Sequence, residues 1–318
     1  MEFRIAKEND GMTVLSFLKM KLKISRNALS ALKRTDMGIC ANGQHVTVRY
    51  ILKEGDLLTV CDTDSFDDTN ESIIPKDIPI NVIYEDESLF LIDKPADMPT
   101  HPSHNHAEDT LANALAHIYL ERGEALVFRP IGRLDRNTSG ISLIAKNSIS
   151  ASYLHYAKTK GLIQKKYIAI LEGCVSDDDE WHRTVIHMKR MDDSIIVRCT
   201  ADSSDENAFI AITRWRMLYS NGVISLVEAI PETGRTHQLR VNFAHLGHPI
   251  VGDDVYGHPS ELIPRHALHA YYLSLPMPYE GEITEFVSSP PMDMQDAFKK
   301  LCQVDLDSLI DERKKEKQ

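Results

Sequence analysis

Apolar positions recur at helical spacing near the start of the chain and give way to shorter, alternating runs further on. Thr13-Val14-Leu15-Ser16-Phe17-Leu18 opens a helix, and Ser25 is placed to cap a second one over Arg26-Asn27-Ala28-Leu29-Ser30-Ala31-Leu32-Lys33. Ala41-Asn42-Gly43-Gln44 is a turn signal, and the strand expected after it is Val46-Thr47-Val48-Arg49-Tyr50. Gly55-Asp56 then turns into a strand over Leu57-Leu58-Thr59-Val60. Further along, 88–93 reads as a strand ending at Lys94-Pro95, and 109–118 as an amphipathic helix with Asp109 as its cap. A strand over 141–145, a helix over 148–160 and strands over 166–171, 195–199, 209–218 and 223–230 follow. This order predicts an α+β protein: a main domain with a large mixed or antiparallel central sheet flanked by helices and loops, plus a small α+β N-terminal domain.

Charge sharpens the division. Between residues 19 and 53, Lys19, Lys21, Lys23, Arg26, Lys33, Arg34, Arg49 and Lys53 face only Asp36. The sign then reverses, with Asp62, Asp64, Asp67, Asp68, Glu71 and Asp77 against Lys76. That acidic stretch is also rich in Ser, Thr and Asn and reads as a linker. The expected boundaries are therefore a basic unit at 1–62, a linker at 63–78, a main domain at 79–303 and a charged tail at 304–318, fraying or forming a short surface helix. The net charge of −11 speaks against nucleic acid as a partner, but phosphates are bound patch by patch, so the local excess counts for more.

The opening residues hold no apolar stretch of the kind a secretion signal needs, and no run approaches a membrane span, which predicts a cytoplasmic location. Five scattered cysteines without a Cys-x-x-Cys pair argue against a disulfide framework and a cysteine-based zinc site. His101, His104 and His106, and again His237, His245 and His248, lie close in sequence but at no recognised ligand spacing, so no metal is expected. Glycine-rich phosphate loops of the nucleotide-binding kinds are missing too.

The most informative segment is Pro130-Ile131-Gly132-Arg133-Leu134-Asp135-Arg136-Asn137-Thr138-Ser139-Gly140. An acid between two arginines is favoured as carboxylate, and the turn-forming residues after it can present Asp135 at the mouth of a cleft. On the residues alone, a structural Arg–Asp ion pair explains the pattern equally well.

Arg-Leu-Asp-Arg-x-Thr-Ser-Gly resembles the catalytic motif of the RluA/RsuA type of pseudouridine synthase, in its RluA branch. Lys94-Pro95 with His101-Pro102-Ser103, Gln164-Lys165-Lys166-Tyr167-Ile168-Ala169, and Thr233-Gly234-Arg235-Thr236-His237-Gln238-Leu239-Arg240 resemble further motifs of that family, in order. Gly252-Asp253-Asp254-Val255-Tyr256-Gly257 and Leu268-His269-Ala270 match later segments. Three departures stand out: Gly132 where the family commonly has His, Asn137 in place of Asp, and Ala96-Asp97 in place of Ala-Gly. In the N-terminal unit, Val14 to Leu18, Ile24-Ser25-Arg26-Asn27, Asn42-Gly43 and Lys53-Glu54-Gly55-Asp56 resemble the RNA-binding domain named after ribosomal protein S-four, with Ile39-Cys40-Ala41 departing from its valine-rich strand.

The resemblance implies isomerisation of uridine to pseudouridine in structured RNA, notably large-subunit ribosomal RNA, by a monomer needing no cofactor. Asp135 would be the nucleophile, Arg240 its cationic partner, and Tyr167 the residue that stacks on the uracil and helps to remove the carbon-5 proton. Arg133 would fill the gap left by the flipped nucleotide or hold its phosphate, and Arg235 and His237 would touch the RNA backbone. Arg26 and Lys33 would grip folded RNA. Two other readings stay open: a non-catalytic RNA-binding or ribosome-assembly factor on the same fold, and a glycoside-type hydrolase pairing Asp135 with Glu228 or Glu232.

Overall fold

A computed structural model describes residues 1–61, 73–194 and 196–315. Most of the acidic linker expected at 63–78 lies outside the described residues, as do Ile195 and residues 316–318. The N-terminal unit consists of β1 (Glu2–Arg4), α1 (Val14–Lys21), α2 (Arg26–Arg34), β2 (Ile39–Ala41), β3 (Gln44–His45) and β4 (Leu57–Val60), its strands ordered β1-β4-β2-β3. Both helices start where the sequence places their caps: the side chain of Thr13 accepts from Ser16 N at 3.2 Å, and that of Ser25 from Ala28 N at 3.1 Å. Asn42 and Gly43, at φ 52° and 78°, supply the two left-handed residues of a tight hairpin. The hairpin is shorter than expected, because 46–50 does not continue as a strand. Instead the Val48 and Tyr50 carbonyls accept from Leu15 and Val14 N–H at 2.9 and 3.0 Å, and Val46 and Val48 pack on the unit's core. Capping the start of α1 thus takes precedence over extending the hairpin.

The larger domain runs through β5 (Asn81–Glu85), β6 (Leu89–Lys94), α3 (Leu111–Arg122), β7 (Arg129–Pro130), β8 (Ser139–Ala145), α4 (Ser148–Thr159), β9 (Gln164–Glu172), β10 (His182–Arg190) and β11 (Arg198–Thr200). It continues with β12 (Phe209–Ser220), β13 (Ile224–Pro231), α5 (Gln238–His245), β14 (Leu268–Pro276), β15 (Ile283–Val287), α6 (Met292–Cys302) and α7 (Leu306–Lys315). Among the described residues its strands form one sheet ordered β11-β10-β12-β13-β9-β14-β8-β6-β5, with β15 on β14 and β7 on β8. All pairs are antiparallel except β8 with β14, so the sheet is mixed, as the element order predicts.

Strand β6 shows how the sheet is covered on both faces. Phe90 and Ile92 point to the cluster that includes Leu111, Leu115 and Tyr119 of α3, while Leu89 and Leu91 face Leu154 of α4. A third cluster joins β9, β13 and β14 to Phe243 of α5 and Phe298 of α6. It also takes in Leu306 and Ile310 of α7, so the core continues past residue 303 into the segment expected to be a fraying tail or surface helix. The cap of α3 is Thr110 rather than Asp109: Thr110 and Asn113 form a reciprocal capping box, and Asp109 binds His106 at 2.7 Å instead. Helix α4 faces both ways. Ile149 is buried in the N-terminal core, Ser152 Oγ donates to Ser25 Oγ at 2.9 Å, and the Lys23 ammonium lies 5.3 Å from the Tyr156 ring centroid.

The parallel pair requires two special residues. Gly140, at φ 111°, approaches β14 so closely that a Cβ would meet Ala270 O at 2.3 Å. One register step earlier, Ser139 pairs with His269. His269 Nε2–H donates to Ser288 O at 3.1 Å, which leaves Nδ1 to accept from Ser139 Oγ at 2.9 Å, so the ring is a neutral tautomer. Burial pulls its pKa down to about 4. The folded state therefore binds fewer protons than the unfolded chain between about pH 6.5 and 4, and stability falls as pH drops through that window. Denaturant melts at pH 7 and pH 5 should differ by about 2 kcal/mol more for the native chain than for His269→Gln, which cannot titrate; equal losses would show that His269 carries no such linkage.

Candidate active site

The segment between β7 and β8 carries Asp135, and four successive carbonyls hold it in place. Leu134 O accepts from Thr100 Oγ1 at 3.2 Å, and Asp135 O from Thr138 N at 3.1 Å. Arg136 O accepts from Lys94 Nζ at 3.0 Å and Met98 N at 3.2 Å, and Asn137 O from Arg265 Nη1 at 3.1 Å. Lys94 is fully buried and gives its other two protons to Pro95 O and Met98 O, both at 2.8 Å. Burial lowers its pKa to about 7, with the Arg265 charge adding to the fall and the Asp135 carboxylate opposing it. Arg265 is itself fixed by two bonds to Asp293, at 2.7 and 2.9 Å. Asp97 takes the left-handed conformation at φ 60°, which a short polar side chain tolerates, and its carboxylate pairs with Arg136. The departure from Ala-Gly thus keeps the turn and adds an ion pair.

Asp135 opens into a cleft of about 1120 Å³ between this loop, α4, β9 and the segment leading into α5. Its carboxylate makes no hydrogen bond or ion pair with another described residue, although its field reaches Lys94, Tyr167, His237 and Arg240. Tyr167 lines the cleft from β9, where burial and then the Asp135 carboxylate push its phenol well above the usual range. It is held neutral, so a phenolate base is disfavoured.

Arg240 also lines the cleft, but its salt bridge is to Asp253 rather than Asp135, with Nε and Nη2 each donating at 2.7 Å. Asp253 is fully buried and also accepts from Val255 and Tyr256 N–H at 3.0 Å. Burial works against the Arg240 charge, but the Asp253 hydrogen bonds and charge, then Asp135, hold its pKa above the usual value. Asp253 therefore fixes the guanidinium, while Nη1 has no hydrogen-bond partner among the described residues. The expected Arg240–Asp135 pair is a through-space interaction here.

His237 stands at φ 57° just ahead of α5, largely buried but in the lining of the cleft. Its Nδ1 lies 2.9 Å from Tyr256 Oη, which accepts from Arg198 N at 2.8 Å. Burial lowers its pKa, so it serves as a neutral wall. Arg235 lies over the Phe209 ring at 5.0 Å and donates to Ile210 O at 3.2 Å, within the cleft lining. Exposed Arg133 reaches across the opening to Thr236 Oγ1 at 3.3 Å. Arg26 and Lys33 are exposed on one face of α2, seven residues apart, and do not line the cleft.

Neither partner of the hydrolase reading is available. Glu228 is buried away from the cleft, with Arg216 at 2.8 Å and Tyr271 as a further hydrogen-bond partner. Glu232 does line the cleft, but Arg183 binds it at 3.0 Å. The first histidine group is dispersed: His104 bonds Asn105, His106 bonds Asp109, and His101 packs edge-on against Phe128. Lys94, Asp253, Tyr256, Arg265 and His266, whose Nε2 lies 2.9 Å from Thr138 Oγ1, emerge as supports to which the sequence alone assigns no role. The first three lie within recognisable motifs, whereas Pro264-Arg265-His266 carries no such signal.

A family model described as RNA pseudouridylate synthase matches residues 88–245, a span that includes Asp135, Tyr167 and Arg240. The uncharacterized RNA pseudouridine synthase YjbO of Bacillus subtilis (strain 168) is 35% identical over 280 residues, covering 88% of this chain and 96% of its own. The ribosomal large subunit pseudouridine synthase D of Zymomonas mobilis is 34% identical over 244 residues, 71% of this chain and 74% of that protein. Among solved structures, human RNA pseudouridylate synthase domain containing 1 superimposes with a TM-score of 0.56 at 26% identity, over 73% of this chain and 94% of that one. Identity of this extent over nearly the whole of a relative means that the chain belongs to the RluA family of RNA pseudouridine synthases, enzymes that isomerise uridine within RNA.

Proposed function

We propose that this chain isomerises uridine in large-subunit ribosomal RNA, with Asp135 as nucleophile and no cofactor or metal. The observation that carries this reading is the Asp135 carboxylate, unpaired in a cationic cleft while the four successive carbonyls of 134–137 are all hydrogen-bonded. The ribosomal target is supported by relatives named for the large ribosomal subunit, and such a target sets the reaction in the cytoplasm. We assign the active form as a monomer.

A carboxylate oxygen of Asp135 bonds to ribose carbon 1′ as the bond to uracil N1 breaks. The freed base turns, its carbon 5 bonds to carbon 1′, and the carboxylate leaves. Carbon 5 then loses its proton and N1 gains one. Substrate and product are isomers, so no electrons are exchanged with a co-reactant. Arg240, fixed by Asp253, keeps positive charge beside the carboxylate throughout. The neutral phenol of Tyr167 can take the carbon-5 proton only as a relay, giving up its own proton as it does so. Arg133, at the opening, fills the place of the flipped nucleotide, Arg235 contacts the backbone, and Arg26 and Lys33 hold folded RNA outside the cleft.

Tritium release from ribosomal RNA labelled at uridine carbon 5 tests the reading. Asp135→Asn should lower the rate by at least about 10⁴-fold with RNA affinity kept. Binding without release by the native chain would favour the non-catalytic alternative. Tyr167→Phe should lose about 10²-fold or more, and the native rate should not climb between about pH 7 and 9, since no phenolate forms there. A rate that rises with pH and is lost in Tyr167→Phe would instead identify a phenolate base.

A further inference from the structure

Two lysines of the cleft have no acidic partner. Lys158 comes from the last turn of α4 and Lys165 from the start of β9, and both line the cleft along with Gly132. A Cβ built on Gly132 would lie 2.9 Å from Lys158 Nζ. The ammonium thus occupies ground that a side chain at 132 would need, three residues ahead of Asp135. Lys158 Nζ makes no hydrogen bond or ion pair among the described residues, and Lys165 Nζ has one bond, to Ile141 O at 3.3 Å.

The surroundings offer neither cation relief. His155, on the same wall, brings no negative charge, and the cleft's two carboxylates are Asp135 and the Arg183-bound Glu232. Burial and the Lys158 charge lower the Lys165 pKa to about 8, and burial lowers that of Lys158. Cations withdrawn from water without a counter-ion are unfavourable, and an anion between them reverses the penalty. Two ammonium groups, each a point charge with rotatable donors, suit a phosphodiester.

We propose that Lys158 and Lys165 form a subsite for one backbone phosphate next to the target uridine, with glycine at position 132 leaving room for the Lys158 ammonium. This rests on the reading that the cleft receives a nucleotide of an RNA chain. The phosphate would sit beside the loop that carries Asp135, so that holding it also sets the ribose against the carboxylate.

The test uses the full chain and a fluorescein-labelled nine-residue oligouridylate, alongside the same oligomer with uncharged methylphosphonate linkages. Dissociation constants are measured against salt for the native chain, Lys158→Gln, Lys165→Gln, the double variant and Lys158→Arg. We expect the double variant to bind the phosphodiester oligomer about tenfold more weakly at low salt, with a salt slope reduced by about 0.7, the value for one phosphate on a single strand. Each single change should produce more than half of that loss, Lys158→Arg should restore most of it, and the methylphosphonate oligomer should not distinguish the proteins. An unchanged slope in the double variant, or equal losses with the uncharged oligomer, would overturn the subsite. Tritium release by the native chain is scored separately: its absence would sink the isomerase reading, while the slope still decides whether the lysines hold a phosphate.

Discussion

The site depends on the capture of consecutive backbone carbonyls around Asp135. A loop that presents a charged side chain to a cleft must satisfy its own peptide groups first, or they compete for that side chain and for water. Here Thr100, Thr138, Lys94, Met98 and Arg265 supply the donors. Two of them are buried cations, and hydrogen bonds from charged donors are stronger and shorter than neutral ones. The carboxylate is therefore left unbonded without the loop around it being loose.

Positive charge is handled in two ways across the cleft. Arg240, in the cleft wall, and Arg265, which holds the Asp135 loop through the Asn137 carbonyl, are neutralised by Asp253 and Asp293. Arg133, Lys158 and Lys165 are not ion-paired with any described carboxylate. The chain as a whole carries −11, so the RNA-facing excess is a local arrangement set against an acidic remainder. That contrast favours approach through one face and discourages contact elsewhere.

Much of this could be read from the sequence, and the limits are physical ones. Alternation and apolar runs located β6, β8, β9 and β11 to β13, but not β5, the two-residue β7, or β10, whose His182–Arg190 mixes charge and apolar residues at an exposed part of the sheet. Capping residues located α1 and α2, while Asp109 was the wrong choice for α3 because His106 draws it away. The motif residues Asp135, Tyr167, Arg235, His237 and Arg240 do converge on one cleft. What spacing could not reveal is how long-range pairs divide the charges: that Asp253 takes Arg240, that Arg265 reaches the Asn137 carbonyl, or that His237 is buried against Tyr256. Those outcomes depend on which surfaces meet after folding, and no local pattern encodes them.

Helix α4 is common property of the two domains. Near one end Ile149 is buried in the N-terminal core, and near the other Lys158 lies beside Gly132. Nine residues of helix separate them, about 14 Å at the usual rise per residue. A helix of this length is stiff, so it works as a spacer bar between the N-terminal core and the cleft wall beside the Asp135 loop. On the proposed reading, in which Arg26 and Lys33 hold folded RNA, selection among uridines would be partly a matter of measurement: a base would qualify by how far it lies from a fold in the RNA as well as by the letters around it.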